Sequence, residues 1–153
     1  MSRRVRRRYC HRGWSPALLR NMEGPTQDTR LESPAGEQAR MTAGGLPRAR
    51  LLRVIQYIDG NLHRALPLAE LSSVVHMSPF HFARLFKERT TVSPHRFLIR
   101  RRIDHAMTLL TADGRPVDEV ARTVGFRSAS HFTTTFRRVV GVTPSEYRRA
   151  RSV

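Results

Sequence analysis

The stretch SPFHFARLFK at residues 78–87 recurs 50 positions later as SASHFTTTFR at residues 128–137. Both copies begin with serine, carry His-Phe at the fourth and fifth positions, place a second phenylalanine four residues further on, and end on a basic residue. A repeat at a fixed spacing indicates one supersecondary unit that is used twice. Two similar basic helices on one chain favour a duplex as the ligand.

The charge of the chain is strongly one-sided. Its 153 residues are enough for one domain and an appendage. They include 28 basic and 12 acidic residues, and the formal net charge is +16. All the basic residues except Lys87 are arginines. Such a chain requires an acidic partner or many counterions. Arginine favours forked contacts with phosphate or guanine, although a GC-rich genome would produce the same bias through codon usage.

Several classes of protein are disfavoured by composition. Cys10 is the single cysteine, so an intrachain disulfide and a cysteine-based zinc cluster are excluded. No apolar run approaches the roughly 20 residues of a membrane span, and the arginines of residues 3–8 are not followed by the apolar stretch of a secretory signal. We therefore expect a cytoplasmic, nucleoid-associated protein with no membrane partner.

Proline, glycine and serine positions divide the chain into segments. Residues 1–46 are rich in proline, glycine and arginine without a sustained period, which predicts a basic, mostly disordered N-terminal tail. From residue 48 onward the apolar spacing is helical, and the predicted fold class is all-α. The predicted segments are a first helix over 48–60, a helix-turn-helix over 67–90, a linking helix over 93–111, a second helix-turn-helix over 116–140, and a short final helix opened by a Thr143–Glu146 capping box.

In a helix-turn-helix, the first helix braces the second, whose solvent face enters the major groove of DNA. The inward positions of these segments are predicted to include Leu68 in the first copy, and Val139 with Val140 in the second. The outward positions of the first copy are predicted to read bases, and these are Phe80, His81, Ala83 and Arg84.

Arg84 is the strongest candidate among them, because an arginine can fork onto guanine O6 and N7. Phe80 has two interpretations, contact with a thymine methyl or packing in the core. His81 either packs or bonds to phosphate. The corresponding positions of the second copy are short and rich in hydroxyls: Arg127, Ala129, Ser130, His131, Thr133 and Thr134.

A further set of residues is predicted to contact the DNA backbone. Ser78 and Ser128 stand at helix N-termini, which attract phosphate, although capping alone explains both serines. Residues 100–102 are three successive arginines, interpreted as partly a solvated face and partly a backbone clamp. The complete predicted set is Ser78, Lys87, Arg101, Ser128, Arg137 and Arg138.

These motifs closely resemble the DNA-binding domain of the AraC/XylS family of bacterial transcription regulators over roughly residues 48–150. The resemblance rests on residues 78–87, Gly125-Phe126, residues 130–132, and residues 141–144. It implies about seven helices in two homeodomain-like three-helix units, joined by a long helix and inserted into successive major grooves. Because the outward residues of the two copies differ, we expect the chain to read an asymmetric site as a monomer. It also implies base contacts from Phe80, Ala83 and Arg84 and from Ala129, Ser130, His131, Thr133 and Thr134.

Two residues depart from the family pattern. Thr91 stands where the family usually has the glycine that Gly141 supplies in the second copy, and Ala83 offers no polar group to a base. A left-handed Thr91 would cost about 1 kcal/mol. The alternative is that the turn at Thr91 has a different conformation from the turn at Gly141.

Other functions remain as alternatives. A non-specific basic nucleic-acid-binding protein, acting on RNA or the nucleoid, would share the charge, and the chain could be the truncated remnant of a larger effector-responsive regulator. No catalytic residue, metal site or cofactor is predicted, because Cys10 and the histidines lack a ligand arrangement. Double-stranded DNA is the predicted partner, and RNA polymerase is a candidate second partner.

Overall fold

The computed structural model of this protein describes residues 45–112 and 114–151. Over these ranges the chain forms seven helices and no strand, and the all-α class with two helix-turn-helix motifs is confirmed. The helices are α1 (Arg48–Gly60), α2 (Leu68–Ser73), α3 (Pro79–Thr90), α4 (Pro94–Ala112), α5 (Val117–Thr123), α6 (Ala129–Val140) and α7 (Pro144–Arg149). The predicted tail lies outside the described residues except for Gly45 and Leu46, of which Leu46 is buried.

Short local signals begin the two helices that matter most for function. The Oγ atoms of Ser78 and Ser128 accept hydrogen bonds from the backbone N–H groups of His81 and His131, at 3.4 and 3.2 Å. Each serine has an extended backbone, as an N-cap requires, and satisfies one of the amides that a helix leaves unpaired. Capping is therefore an observed role of both serines, and their phosphate contacts stay a prediction.

The chain divides into two compact units, each containing one helix-turn-helix. The first unit includes Pro67–His95, where α2 packs against α3. The hydrophobic core residues of α3 are Phe82, Leu85 and Phe86, and the two phenylalanine rings lie 5.4 Å apart. Aromatic pairs at this separation are favourable beyond the apolar area that they bury.

The second unit combines Asp59–Leu66 with the residues from Arg96 onward. Its helices α5 and α7 both pack against α6. The core is one contiguous cluster with Phe132 and Phe136 of α6 at full burial. Its other members are Ile103, Ala106, Leu110, Val120, Ala121, Val124, Phe126 and Tyr147.

Two residues that were predicted to face inward are exposed. Leu68 is 39% exposed at the first position of α2, and Val139 is 40% exposed near the end of α6. Phe132, Phe136 and Val140 follow one another at four-residue spacing and set the buried face of α6, so Val139 lies at its edge. Val140 packs against the core as predicted.

The two tight turns share one backbone conformation but differ in sequence. The turn before α3 contains His76 at φ 54°, and the turn before α6 contains Gly125 at φ 84°. The next residue donates its N–H five residues back in each, Met77 to the carbonyl of Ser72 and Phe126 to that of Ala121. His76 therefore corresponds to Gly125, 49 positions away. The second turn contains one extra residue, Arg127, so the N-cap residues Ser78 and Ser128 are 50 positions apart.

The helix ends that follow the repeated motif are also alike. Thr91 has φ 65° and ψ −4°, and Gly141 has φ 94° and ψ −11°. Both residues donate their N–H to the carbonyl four residues earlier, at 2.7 Å for Thr91 and 2.8 Å for Gly141. Of the two alternatives for Thr91, the left-handed turn is the one adopted, and a β-branched residue is disfavoured there.

Substituting Thr91→Gly should raise the free energy of unfolding by up to about 1 kcal/mol. Glycine removes the left-handed strain, and its larger entropy in the unfolded chain offsets part of the gain. Denaturant unfolding of the full chain measures the change. The matched control is Gly141→Thr, which should be destabilising, and a loss of stability in Thr91→Gly would contradict the assignment of strain.

The predicted capping box at α7 is present. The Thr143 backbone N–H donates to Glu146 Oε2 at 2.7 Å, and the Glu146 N–H donates to Thr143 Oγ1 at 3.3 Å. The N–H of Thr143, and after it the Thr143 hydroxyl, lower the pKa of the Glu146 carboxyl from its ordinary value. A carboxyl with a lowered pKa stabilises the fold above its unfolded pKa, and this contribution is lost as the pH falls through the folded pKa.

We therefore expect Glu146→Gln to lower Tm at neutral pH and to leave it closer to the wild-type value in acid. The Tm difference should shrink below about pH 4, where the unfolded carboxyl takes up a proton. Thermal melts of both proteins between pH 3 and pH 7 measure this. A difference that stays constant across the range would show that the charge of Glu146 contributes nothing.

Candidate nucleic-acid interface

Helix α3 presents the predicted base-reading residues of the first unit on its solvent side. Phe80 is 83% exposed, although it lies only two residues from the fully buried Phe82. The alternative in which Phe80 packs in the core is therefore wrong. His81 and Arg84 are exposed on the same helix, and Ala83 is half-buried beside them. An exposed aromatic ring beside an arginine provides both an apolar and a forked polar contact for base edges.

Arg84 forms one ion pair on the surface of α3. Its Nη1 lies 3.4 Å from Oε1 of Glu88, one helical turn away, and both side chains are about half exposed. A pair of this kind contributes little to stability, so its arginine is released at small cost. Lys87 is exposed one turn beyond Arg84 and belongs to the predicted phosphate contacts.

Helix α6 presents a smaller and more polar surface in the second unit. The exposed positions in its N-terminal half carry mostly short or hydroxyl side chains, and the preceding turn adds the exposed Arg127. His131 lies edge-on to the buried Phe126 ring, with 5.4 Å between the ring centroids. Ala129, Ser130, His131 and Thr134 are exposed, and Thr133 is half-buried. Short side chains let the backbone of a helix approach a groove closely, but they offer few bidentate base contacts.

An open groove of about 470 Å³ lies along the C-terminal half of α6. It brings the predicted base-reading residues Thr133 and Thr134 together with the predicted backbone residues Arg137 and Arg138. Gly141 and Thr143 complete its lining. The guanidinium groups and hydroxyls of this groove are suited to the oxygen atoms of a phosphodiester.

The three arginines of α4 have three different environments. Arg101 forms a bidentate ion pair with Asp59, in which its Nε lies 2.6 Å from Oδ1 and its Nη2 contacts Oδ2. A phosphate contact from Arg101 requires the release of this carboxylate and stays a prediction. Arg100 is half-buried. Arg102 is only 8% exposed, so its assignment to a solvated face or a backbone clamp is wrong.

Arg102 instead holds a neighbouring segment of the second unit. Its Nε donates to the carbonyl of Leu62 at 3.0 Å and its Nη2 donates to that of Arg64 at 2.6 Å. The guanidinium carbon lies 5.9 Å from the centroid of the Phe126 ring. Burial lowers the pKa of this guanidinium from its ordinary value, because desolvation disfavours the charged form.

Sequence reasoning missed Arg102, although the helical period contains a signal for it. Arg102 lies three residues after Ile99 and four before Ala106, both of which pack in the second core. Residues at these spacings share one face of a helix, so the helical period predicts that Arg102, the last of the three arginines, faces inward. The two arginines that precede it in the sequence obscure this signal.

Metal-binding clusters and membrane-spanning helices are both absent from the part of the chain that the structure describes. Within residues 45–112 and 114–151, no group of three or more histidine, cysteine, aspartate or glutamate side chains lies close enough to hold a metal ion. Over the same part of the chain, no helix combines the length and the apolarity needed to cross a bilayer.

Comparison with known proteins gives consistent similarities. A family model described as a helix-turn-helix domain matches residues 71–150. The chain is 35% identical over 100 residues to the probable transcriptional regulator LumQ of Photobacterium leiognathi, covering 65% of this chain and 40% of LumQ. It is 32% identical over 113 residues to the regulatory protein PocR of Salmonella typhimurium, covering 73% of this chain and 37% of PocR. The chain thus spans about two fifths of the length of these relatives.

Solved structures are similar over the same region. The DNA-binding domain of the global transcriptional factor AdpA, in complex with a target DNA, aligns with a TM-score of 0.63 at 35% identity, covering 66% of this chain and 91% of that one. A transcriptional regulator with an AraC-type DNA-binding domain from Chromobacterium violaceum aligns with a TM-score of 0.66 at 25% identity, covering 69% of this chain and 94% of that one. Both alignments cover about two thirds of this chain.

Proposed function

The chain belongs to the AraC/XylS family of helix-turn-helix regulators, and from this premise we propose that it binds double-stranded DNA as a sequence-specific transcription regulator. Its recognition helices, α3 and α6, enter successive major grooves of one site, and the chain acts as a monomer. The family relationship agrees with the prediction that the chain is a regulator and not an enzyme.

The observation that carries the proposal is the contrast between the buried and exposed faces of the two recognition helices. Both are 12 residues long, or about 18 Å, and a helix fits the major groove, which is about 12 Å wide. Phe82 and Phe86 of α3 match Phe132 and Phe136 of α6, and all four are buried. The exposed positions differ, so the two helices would read different bases. We therefore propose that the DNA site is asymmetric.

The charge of the chain supplies the affinity for the duplex backbone. With a net charge of +16, phosphate contacts release counterions from DNA, and binding should weaken steeply with salt. We propose Lys87, Arg137 and Arg138 as backbone contacts, together with the caps Ser78 and Ser128. The complex of AdpA with a target DNA supports this use of the fold. RNA polymerase is the proposed protein partner, and the proposed location is the nucleoid in the cytoplasm.

Substituting Arg84→Ala should weaken binding to the preferred DNA site by about 1–3 kcal/mol and should relax the preference at one base pair. The target is first selected from a randomised duplex library with the full chain. Affinities for this duplex and for single-base-pair variants are then measured at a fixed salt concentration.

The matched control for this measurement is Arg89→Ala, which removes an exposed arginine from the last turn of the same helix. It should weaken binding to all duplexes to a similar degree. If Arg84→Ala behaves in the same way, Arg84 contacts only the backbone. If the library yields no preferred sequence, the chain is the non-specific binding protein that its charge alone would produce.

A further inference from the structure

Arg102, Phe126 and His131 form a continuous stack in the second unit, which we term the Arg102 stack. It begins at the buried guanidinium of Arg102, which is 5.9 Å from the Phe126 ring centroid. It continues from Phe126 to His131, whose rings meet at an interplanar angle of 62°. The stack thus runs from the core of the unit to an exposed residue in the first turn of α6.

The inner end of the stack is fixed by hydrogen bonds rather than by an ion pair. Among the residues that the structure describes, Arg102 donates to the carbonyls of Leu62 and Arg64, and no carboxylate lies against it. Only a planar, forked side chain can serve two carbonyls and an aromatic ring at the same time, and a lysine cannot replace it. A buried charge held in this way fixes the place of the Phe126 ring.

The backbone next to the stack is adapted to it. A Cβ atom on Gly125 would lie 2.8 Å from Nη2 of Arg102, so only glycine allows the guanidinium to approach this turn. Phe126 itself is buried and also packs edge-on against Phe132, with 5.2 Å between the ring centroids. The ring is therefore held on the Arg102 side and on the α6 side.

Among the described residues, the first helix-turn-helix has no equivalent stack. Its matching turn carries Met77 in place of Phe126 and His76 in place of Gly125. Within the described part of the chain, the ring of His81, which corresponds to His131, has no aromatic neighbour of this kind. The stack is thus a device of the second helix-turn-helix alone.

We propose that Arg102 and Phe126 are positioning residues for His131, and that they hold its imidazole in the orientation in which it contacts a base. The inference rests on the proposed function, because it takes His131 as a base-reading residue. An exposed side chain loses rotamer freedom when it binds, and a ring already held against Phe126 loses less. The second recognition helix therefore presents one preset polar contact among its short side chains.

The test uses the full chain and the selected DNA duplex. His131→Ala first identifies the base pair whose preference depends on His131. Phe126→Leu removes the ring but keeps an apolar side chain, and Arg102→Lys keeps the charge but loses the fork. Each should lower the discrimination at that base pair about three- to tenfold, and should leave the discrimination that depends on Arg84 unchanged. Met77→Leu, at the matching position of the first unit, is the control and should change neither.

A double variant separates positioning from a general loss of structure. If Phe126 acts through His131, adding Phe126→Leu to His131→Ala should cause no further loss of discrimination. A further loss, or an equal loss at the base pairs read by α3, would overturn the proposal. Should Phe126→Leu fold poorly, Arg102→Lys provides the same comparison.

A measurement without DNA keeps the proposal distinct from the proposed function. Three-bond NMR couplings of His131 should report a single χ1 rotamer in the wild-type chain and averaged rotamers in Phe126→Leu. If His131→Ala changes no base preference, the reading role of His131 fails, and these couplings still decide whether the stack orients the ring. Averaged rotamers already in the wild type would overturn the positioning.

Discussion

Substituting Phe136→Ala should lower the free energy of unfolding by about 3–5 kcal/mol, as expected for a large aromatic side chain removed from a core. Phe136 is fully buried in α6, and its ring packs against Phe132 and Tyr147 with both centroid separations at 5.6 Å. The truncation removes both ring contacts and leaves a cavity where α6 meets α7. Thermal melting of the full chain should show a fall in Tm of more than about 10 °C.

Val139→Ala is the matched control for this substitution, since Val139 lies on the same helix but is 40% exposed. It should change stability by no more than about 0.5 kcal/mol. An unchanged Tm in Phe136→Ala would contradict the assignment of Phe136 to the core. Equal losses in the two variants would instead indicate a general sensitivity of α6 to truncation.

Gly125→Ala should be nearly as damaging, although it adds only one methyl group. Gly125 has φ 84°, a conformation that costs an alanine about 1–2 kcal/mol. Its Cβ would also lie 2.3 Å from the carbonyl oxygen of Leu62, which is backbone and cannot turn aside. Overpacking of this kind adds about 1–3 kcal/mol, so we expect a total loss of about 2–5 kcal/mol in denaturant unfolding.

Gly141→Ala isolates the conformational part of that cost. Gly141 also has a left-handed backbone, at φ 94°, but a Cβ there meets no atom within 4 Å. Its loss should stay at about 1–2 kcal/mol. If Gly125→Ala costs no more than Gly141→Ala, the close approach of the Leu62 carbonyl is not a constraint on this turn.

Much of the fold follows from signals that act over a few residues. Prolines and capping residues begin the helices, so the predicted linking helix over 93–111 differs by one residue at each end from the observed Pro94–Ala112. The apolar period of α3 separates Phe82 from Phe80, and the exposure of Phe80 and Arg84 follows from it. The bases that these side chains contact depend on a partner as well as on the chain, and their roles remain predictions.

Other features depend on contacts that no local pattern encodes. The repeat does not predict a left-handed His76, because the extra Arg127 shifts the register and a fixed spacing of 50 pairs His76 with Phe126 rather than with Gly125. In the sequence Arg102 resembles its charged neighbours, because its acceptors lie about 40 residues earlier in the chain. A local period can show that a residue turns inward, but it cannot identify a distant carbonyl as its acceptor.

The second helix-turn-helix depends on the segment 59–66, which is distant from it in the sequence. It precedes the first helix-turn-helix in the chain, yet its carbonyls are the acceptors of the buried Arg102 in the second unit. A stretch excised from residue 93 onward would lose both acceptors of Arg102 and the segment that packs against it. Recombination that transfers only the second motif would therefore not transfer a complete folding unit. We expect the second motif to be inherited together with the segment 59–66, which precedes the first motif.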